Sequence, residues 1–88
     1  MRLENWYKDT VVTDTLKGNV FGHPKHEDGT HIRTSSVAGV TPDGRVVTIS
    51  GSEYELGEPE AEYAERYPDA RPRILASIRK EFGEVGSS

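Results

Sequence analysis

The chain has no cysteine, so no disulfide can staple it and no thiolate can act as nucleophile or metal ligand. Apolar residues are scarce at 33%, where soluble domains carry roughly 45–50% with glycine counted in. No apolar run approaches the about 20 residues that span a bilayer as a helix. Met1-Arg2-Leu3-Glu4-Asn5-Trp6 has no signal-peptide apolar core. With the missing cysteine, these features make a cytoplasmic, reducing location the expectation. A broad basic face is missing too, which speaks against a nucleic-acid footprint.

What is present fits one small domain, expected over residues 1–84 with 85–88 as a disordered tail. A domain of 88 residues has a thin stability margin. The expectation is therefore a homo-oligomer, a dimer or higher, that hides further apolar surface. Charge is unevenly placed. Residues 53–69 hold seven acids and one arginine, whereas residues 17–50 and 70–88 are weakly basic.

Residues 16–57 alternate short β-branched runs with the turn signals Glu27-Asp28-Gly29, Thr41-Pro42-Asp43-Gly44 and Ser50-Gly51-Ser52. The fold class expected is α+β: a small four- to five-stranded antiparallel meander followed by two short C-terminal helices. The strands fall near Leu16–His23, Thr30–Val40 with a bulge at Ser35-Ser36, Arg45–Ser50 with Val47 and Ile49 inward, and Glu53–Leu56 with Tyr54 and Leu56 inward. Gly18 and Gly22 thin one face of the first, as a close backbone approach would require. Residues 1–15 read as a lead-in: Leu3, Trp6 and Tyr7 have helical spacing, and Thr10-Val11-Val12-Thr13 suits an edge strand. After Gly57 the period changes. Ala61, Tyr63, Ala64 and Tyr67 form one helical stripe, and Ile74, Leu75, Ile78 and Phe82 form a second between Asp69 and Gly83.

Catalytic chemistry finds no support. Ser50-Gly51-Ser52 is not Gly-x-Ser-x-Gly and lies between strands. The carboxylates of 53–65 have no apolar pocket to raise a pKa. No glycine-rich loop has nucleotide-motif spacing. The expectation is a non-enzymatic protein without cofactor or metal.

Binding residues are better represented. Arg33, Thr34 and Ser35, with Ser36, put a cation beside three hydroxyls, a set that holds phosphate or ribose; its plain alternative is a solvent face with Arg33 paired to Glu53 or Glu55. Tyr54 suits either base stacking or the core. Arg71, with Arg73, stands where a helix N-terminus attracts anions, or decorates a charged helix face. His23, His26 and His31 form a polar hairpin loop, a ligand contact or a pH-sensitive interface; a metal site is the lesser reading, because Pro24 forbids a helical His pair. Ser50, beside Gly51, is a further ligand-binding candidate.

The runs Leu16-Lys17-Gly18, Gly22-His23-Pro24, Asp28-Gly29, Thr34-Ser35, Val47-Thr48 and Ser50-Gly51-Ser52-Glu53-Tyr54-Glu55-Leu56-Gly57 resemble the phage anti-Thoeris sponge proteins of the first described type, over residues 16–67. The resemblance implies a symmetric assembly, in an infected bacterial host, that sequesters a cyclic ADP-ribose-type signal or a cyclic oligonucleotide without turnover. It makes Arg33, Thr34 and Tyr54 contact candidates. The acidic segment 53–69 supports a rival expectation: a protein-binding inhibitor of a defence complex, anti-CRISPR-like, that imitates nucleic acid.

Overall fold

The structure, a computed structural model, describes residues 1–9 and 14–85. Among these residues, six strands form one mixed sheet: β1 (Arg2–Lys8), β2 (Leu16–Phe21), β3 (Thr30–Arg33), β4 (Val37–Val40), β5 (Val46–Thr48) and β6 (Glu53–Leu56). Two helices follow, α1 (Ala61–Arg66) and α2 (Ala70–Phe82). The α+β class and the two C-terminal helices stand as expected. The antiparallel pairing holds within β1-β2-β3 and within β4-β5-β6; the single meander of four to five strands becomes six, in the order β3-β2-β1-β6-β5-β4, because β1 pairs with β6 in parallel.

β1 is the central correction. It is a strand between β2 and β6, where the sequence suggests a turn of helix. Leu3 and Trp6 are three residues apart yet both fully buried. A bulge explains this. Glu4 faces Asn19 and Tyr7 faces Lys17, so Asn5 and Trp6 together oppose Gly18 alone. Asn5 takes a φ of 51°, the left-handed region that asparagine tolerates better than most residues. The extra residue shifts the strand's phase and gives it a helix-like spacing.

The expected strand Thr30–Val40 is two strands at opposite edges of the sheet. Only residues 34–36 join them, and four Cα–Cα steps reach about 15 Å. Six strands laid flat would put those edges about 24 Å apart. The sheet therefore curls until its edges approach. Thr34 N donates to Leu16 O (2.8 Å), Val37 N to Asp14 O (2.7 Å) and Ile49 N to Ser36 O (2.8 Å), so this crossing stitches both sides.

The β4–β5 turn forms as read. Gly44 N donates to Thr41 O and Thr41 N to Arg45 O, with Gly44 at φ 88°. That turn sets Val46 opposite Val40, so Val46 and Thr48 face inward. The expected inward pair, Val47 and Ile49, is off by one position: Val47 is half-buried and Ile49 is 71% exposed. A slip of one residue reverses every side chain of a strand. On β6, Tyr54 and Leu56 are buried and both glutamates exposed, as expected.

α2 packs on β4 through Ala70, Ile74 and Ile78, four residues apart. Leu75 is half-buried, and Phe82 is 42% exposed. Gly83 ends the helix, and the chain then runs along β4: Val40 N donates to Gly83 O and Val85 N to Val40 O. Val85 belongs to the expected tail; residues 86–88 and the edge strand expected at 10–13 lie outside the described residues. Among the described residues no helix is long and apolar enough to cross a membrane.

Candidate functional site

The sequence-derived site residues do not converge. Arg33 ends β3, and its Nε lies 3.3 Å from Asp9 Oδ2, so its partner is an aspartate of the β1 end and not Glu53 or Glu55. Thr34 is buried at 4% exposure. Its Oγ1 accepts from Leu16 N and donates to Ser35 O, which employs the hydroxyl in closing the sheet. Ser35 is exposed beside it. Tyr54 is 3% exposed, so its ring lies in the core with no face open to a base. Burial pushes its phenol up, with a Ser52 hydrogen bond acting the other way.

His23 sits in the β2–β3 loop, its ring 4.6 Å from that of His26. His31 lies apart on β3, where it stacks on Tyr7. The described residues contain no group of three or more His, Asp or Glu arranged to hold a metal ion. Arg71 lies in the first turn of α2, but its Nη2 donates to Gly57 O at 2.9 Å. Asp69 precedes that helix without a side-chain cap bond.

Ser50 and Arg71 do lie on one flank, linked by a residue the sequence reading passed over. A recess of about 540 Å³ opens at the β5–β6 turn, lined by Arg45, Ser50, Gly51, Ser52, Glu53 and Glu55 with Met1. A second, of about 300 Å³, contains Asp43, Arg45, Glu55, Arg71 and Leu75. Both share Arg45 and Glu55. The flank thus offers two guanidinium groups, two serine hydroxyls and three carboxylates.

Turn chemistry builds this flank. Gly51 N donates to Thr48 O and Thr48 N to Ser52 O, which folds Ser50 and Ser52 outward over the strand ends. Thr48 Oγ1 and Ser50 Oγ are 2.9 Å apart. Arg45 leaves the preceding turn with its Nε 3.4 Å from Asp43 and its Nη1 3.7 Å from Glu53. The Thr41 hydroxyl donates to Asp43 and holds that carboxyl below its ordinary range; burial acts against this and Arg45 adds to it. Such a surface offers charge-assisted donors for phosphate and acceptors for hydroxyl or amine hydrogens. The signal in the sequence was Arg45 beside Gly44, between a turn and the strand it starts.

A separate groove of about 450 Å³ lies between the end of β1 and α1. Tyr7, Tyr63 and Tyr67 line it with Lys8, Asp9, Glu60, Glu62 and Arg66. Tyr63 and Tyr67 occupy successive turns of α1 and its cap, their rings 5.0 Å apart, and Tyr63 meets the Trp6 ring edgewise at 5.8 Å. Burial raises the Tyr63 phenol, Tyr67 adds to this and Arg73 opposes it. Glu60 caps α1 by accepting from Glu62 N and Tyr63 N. Asp9 is buried at the groove's edge, held by Arg33 and, at 3.8 Å, by Lys17. Tyr63 and Tyr67, from the first helical stripe, pack against the core yet stay half-buried, so their exposed parts form the groove wall.

No family model, curated protein or solved structure matches the chain.

Proposed function

We propose that this chain is a non-enzymatic phage anti-defence protein that sequesters a cyclic nucleotide signal, of cyclic ADP-ribose or cyclic oligonucleotide type, at the Arg45–Arg71 flank. The observation that carries this reading is the pair of adjoining recesses sharing Arg45 and Glu55, with Ser50 and Ser52 beside them. The expected combination of guanidinium and hydroxyl groups recurs there, away from the Arg33 strand. A cyclic nucleotide carries few phosphates and many hydroxyl and amine hydrogens, which suits donors mixed with carboxylate acceptors. The resemblance of the Ser50–Gly57 run supports the same class. The protein is proposed to work as a homo-oligomer in the host cytoplasm; Ile49 and Phe82 leave apolar surface that a second copy would cover.

Calorimetric titration with cyclic ADP-ribose isomers and cyclic di- and trinucleotides tests the reading. Saturable heat with one of them, unchanged ligand on recovery, and a loss of about tenfold or more in affinity for Arg45→Ala are expected. No heat with any of these ligands would remove it.

A second reading, an acidic inhibitor that covers a basic groove of a defence complex, is favoured by one observation. Glu53, Glu55, Glu58, Glu62, Glu65 and Asp69 are all exposed. Glu62→Lys with Glu65→Lys should abolish that activity and leave nucleotide binding intact. Glu60 stays out of this test because its carboxylate caps α1.

A further inference from the structure

We propose that the tyrosine groove between β1 and α1 is a docking site for an arginine side chain carried by a basic segment of a partner protein. It shares no lining residue with the Arg45–Arg71 flank, so it stands or falls separately from nucleotide sequestration.

Tyrosine faces carry negative quadrupole charge and attract cations, guanidinium above all. Trp6 and Tyr67 brace the Tyr63 ring. The molecule already makes such a contact with itself: Arg73 Cζ lies 5.5 Å from the centre of the Tyr67 ring. Acidic side chains outnumber basic ones in the lining, three to two. Asp9 is buried and Glu60 half-buried, whereas Lys8 and Arg66 are exposed. Asp9 is engaged by Lys17 and Arg33 and Glu60 caps α1, so the carboxylate that meets an incoming cation is Glu62.

Arginine fits better than lysine, because a planar guanidinium stacks on a ring and bonds a carboxylate through two N–H groups at once. The groove is larger than one side chain needs and continues into the acidic segment. Glu58 and Glu65 of that segment are exposed as well.

The test uses the whole chain and a blocked Arg-Gly-Arg peptide, followed through Trp6 fluorescence and the tyrosine ring resonances. Saturable shifts at Tyr7 and Tyr63 are expected. The isosteric citrulline peptide should bind about tenfold more weakly, and Glu62→Gln and Tyr7→Leu should each weaken the arginine peptide about threefold or more. Equal binding of the citrulline peptide would overturn the proposal. So would an absence of saturable shifts at millimolar peptide, or groove resonances that respond to adenosine monophosphate and not to arginine. Glu62 is a surface side chain without a capping role, so its variant reports on the groove even if Tyr7→Leu unfolds; unchanged arginine binding by Glu62→Gln also overturns it.

Discussion

β1 and β5 place their apolar side chains by different rules. β1 runs through the middle of the sheet and buries Leu3 and Trp6 completely, three residues apart. β5 buries Val46 and Thr48, two residues apart, and leaves Ile49 71% exposed. A threonine is inside while an isoleucine is outside. In both strands a local backbone device decides burial: the left-handed Asn5 bulge in one, the Gly44 turn in the other. Apolar character alone sets neither.

The contrast is broken most directly by truncating one residue from each strand. Trp6→Ala removes a fully buried ring and its hydrogen bond to Gly57 O. A loss of about 3–5 kcal/mol is expected, a large share of the about 5–15 kcal/mol that holds a typical domain together. Ile49→Ala should stay within about 0.5 kcal/mol. Urea denaturation of both variants measures the difference. A cost above about 1 kcal/mol at Ile49 would show that a second copy covers it in solution.

The bulge itself is tested from the opposite strand. A Cβ on Gly18 would stand 2.9 Å from Glu4 O and 3.0 Å from Trp6 Cα, both backbone atoms that cannot swing aside. Gly18→Ala is therefore expected to cost about 1–3 kcal/mol in the same denaturation experiment. A neutral outcome would mean that the β1–β2 pairing is looser than the bulged register requires.

Asn5 separates backbone strain from packing, because its side chain is exposed. Asn5→Val puts a branched residue at positive φ and should cost about 1–2 kcal/mol, whereas Asn5→Gly should leave stability nearly unchanged. Equal losses from the two would assign the effect to the asparagine side chain.

These cases also mark what the chain could tell from its residues. The turns at Asp28-Gly29, Thr41–Gly44 and Ser50–Ser52, the tight approach at Gly18 and both helices were legible, because each rests on local chemistry. The central place of β1 was not, since its bulge produces a helical spacing and its parallel partner β6 lies about fifty residues away. Splitting Thr30–Val40 required the curl of the whole sheet. The candidate site suffered from the same cause. Arg33, Thr34 and Ser35 are adjacent in sequence, yet closing the sheet uses Thr34 inward and ties Arg33 to Asp9. Arg45 and Arg71 are distant in sequence and meet only in three dimensions.

The smallest expected effect lies in the β2–β3 loop, which joins the central sheet to its edge and holds the paired histidines. Burial lowers the His23 pKa from its ordinary 6.5, and the neighbouring His26, Lys25 and the chain amine lower it further. Lys25 N also donates to His23 Nδ1 at 2.9 Å, which requires that nitrogen to be unprotonated. A folded pKa below the unfolded value gives stability above about pH 6.5 that is lost as pH falls through the folded value. NMR titration of the His23 ring should place its midpoint below 6.5, and His26→Asn should return it only part of the way, because burial is the larger cause. A midpoint at or above 6.5 would mean that the loop opens in solution and that the two imidazoles do not face each other there.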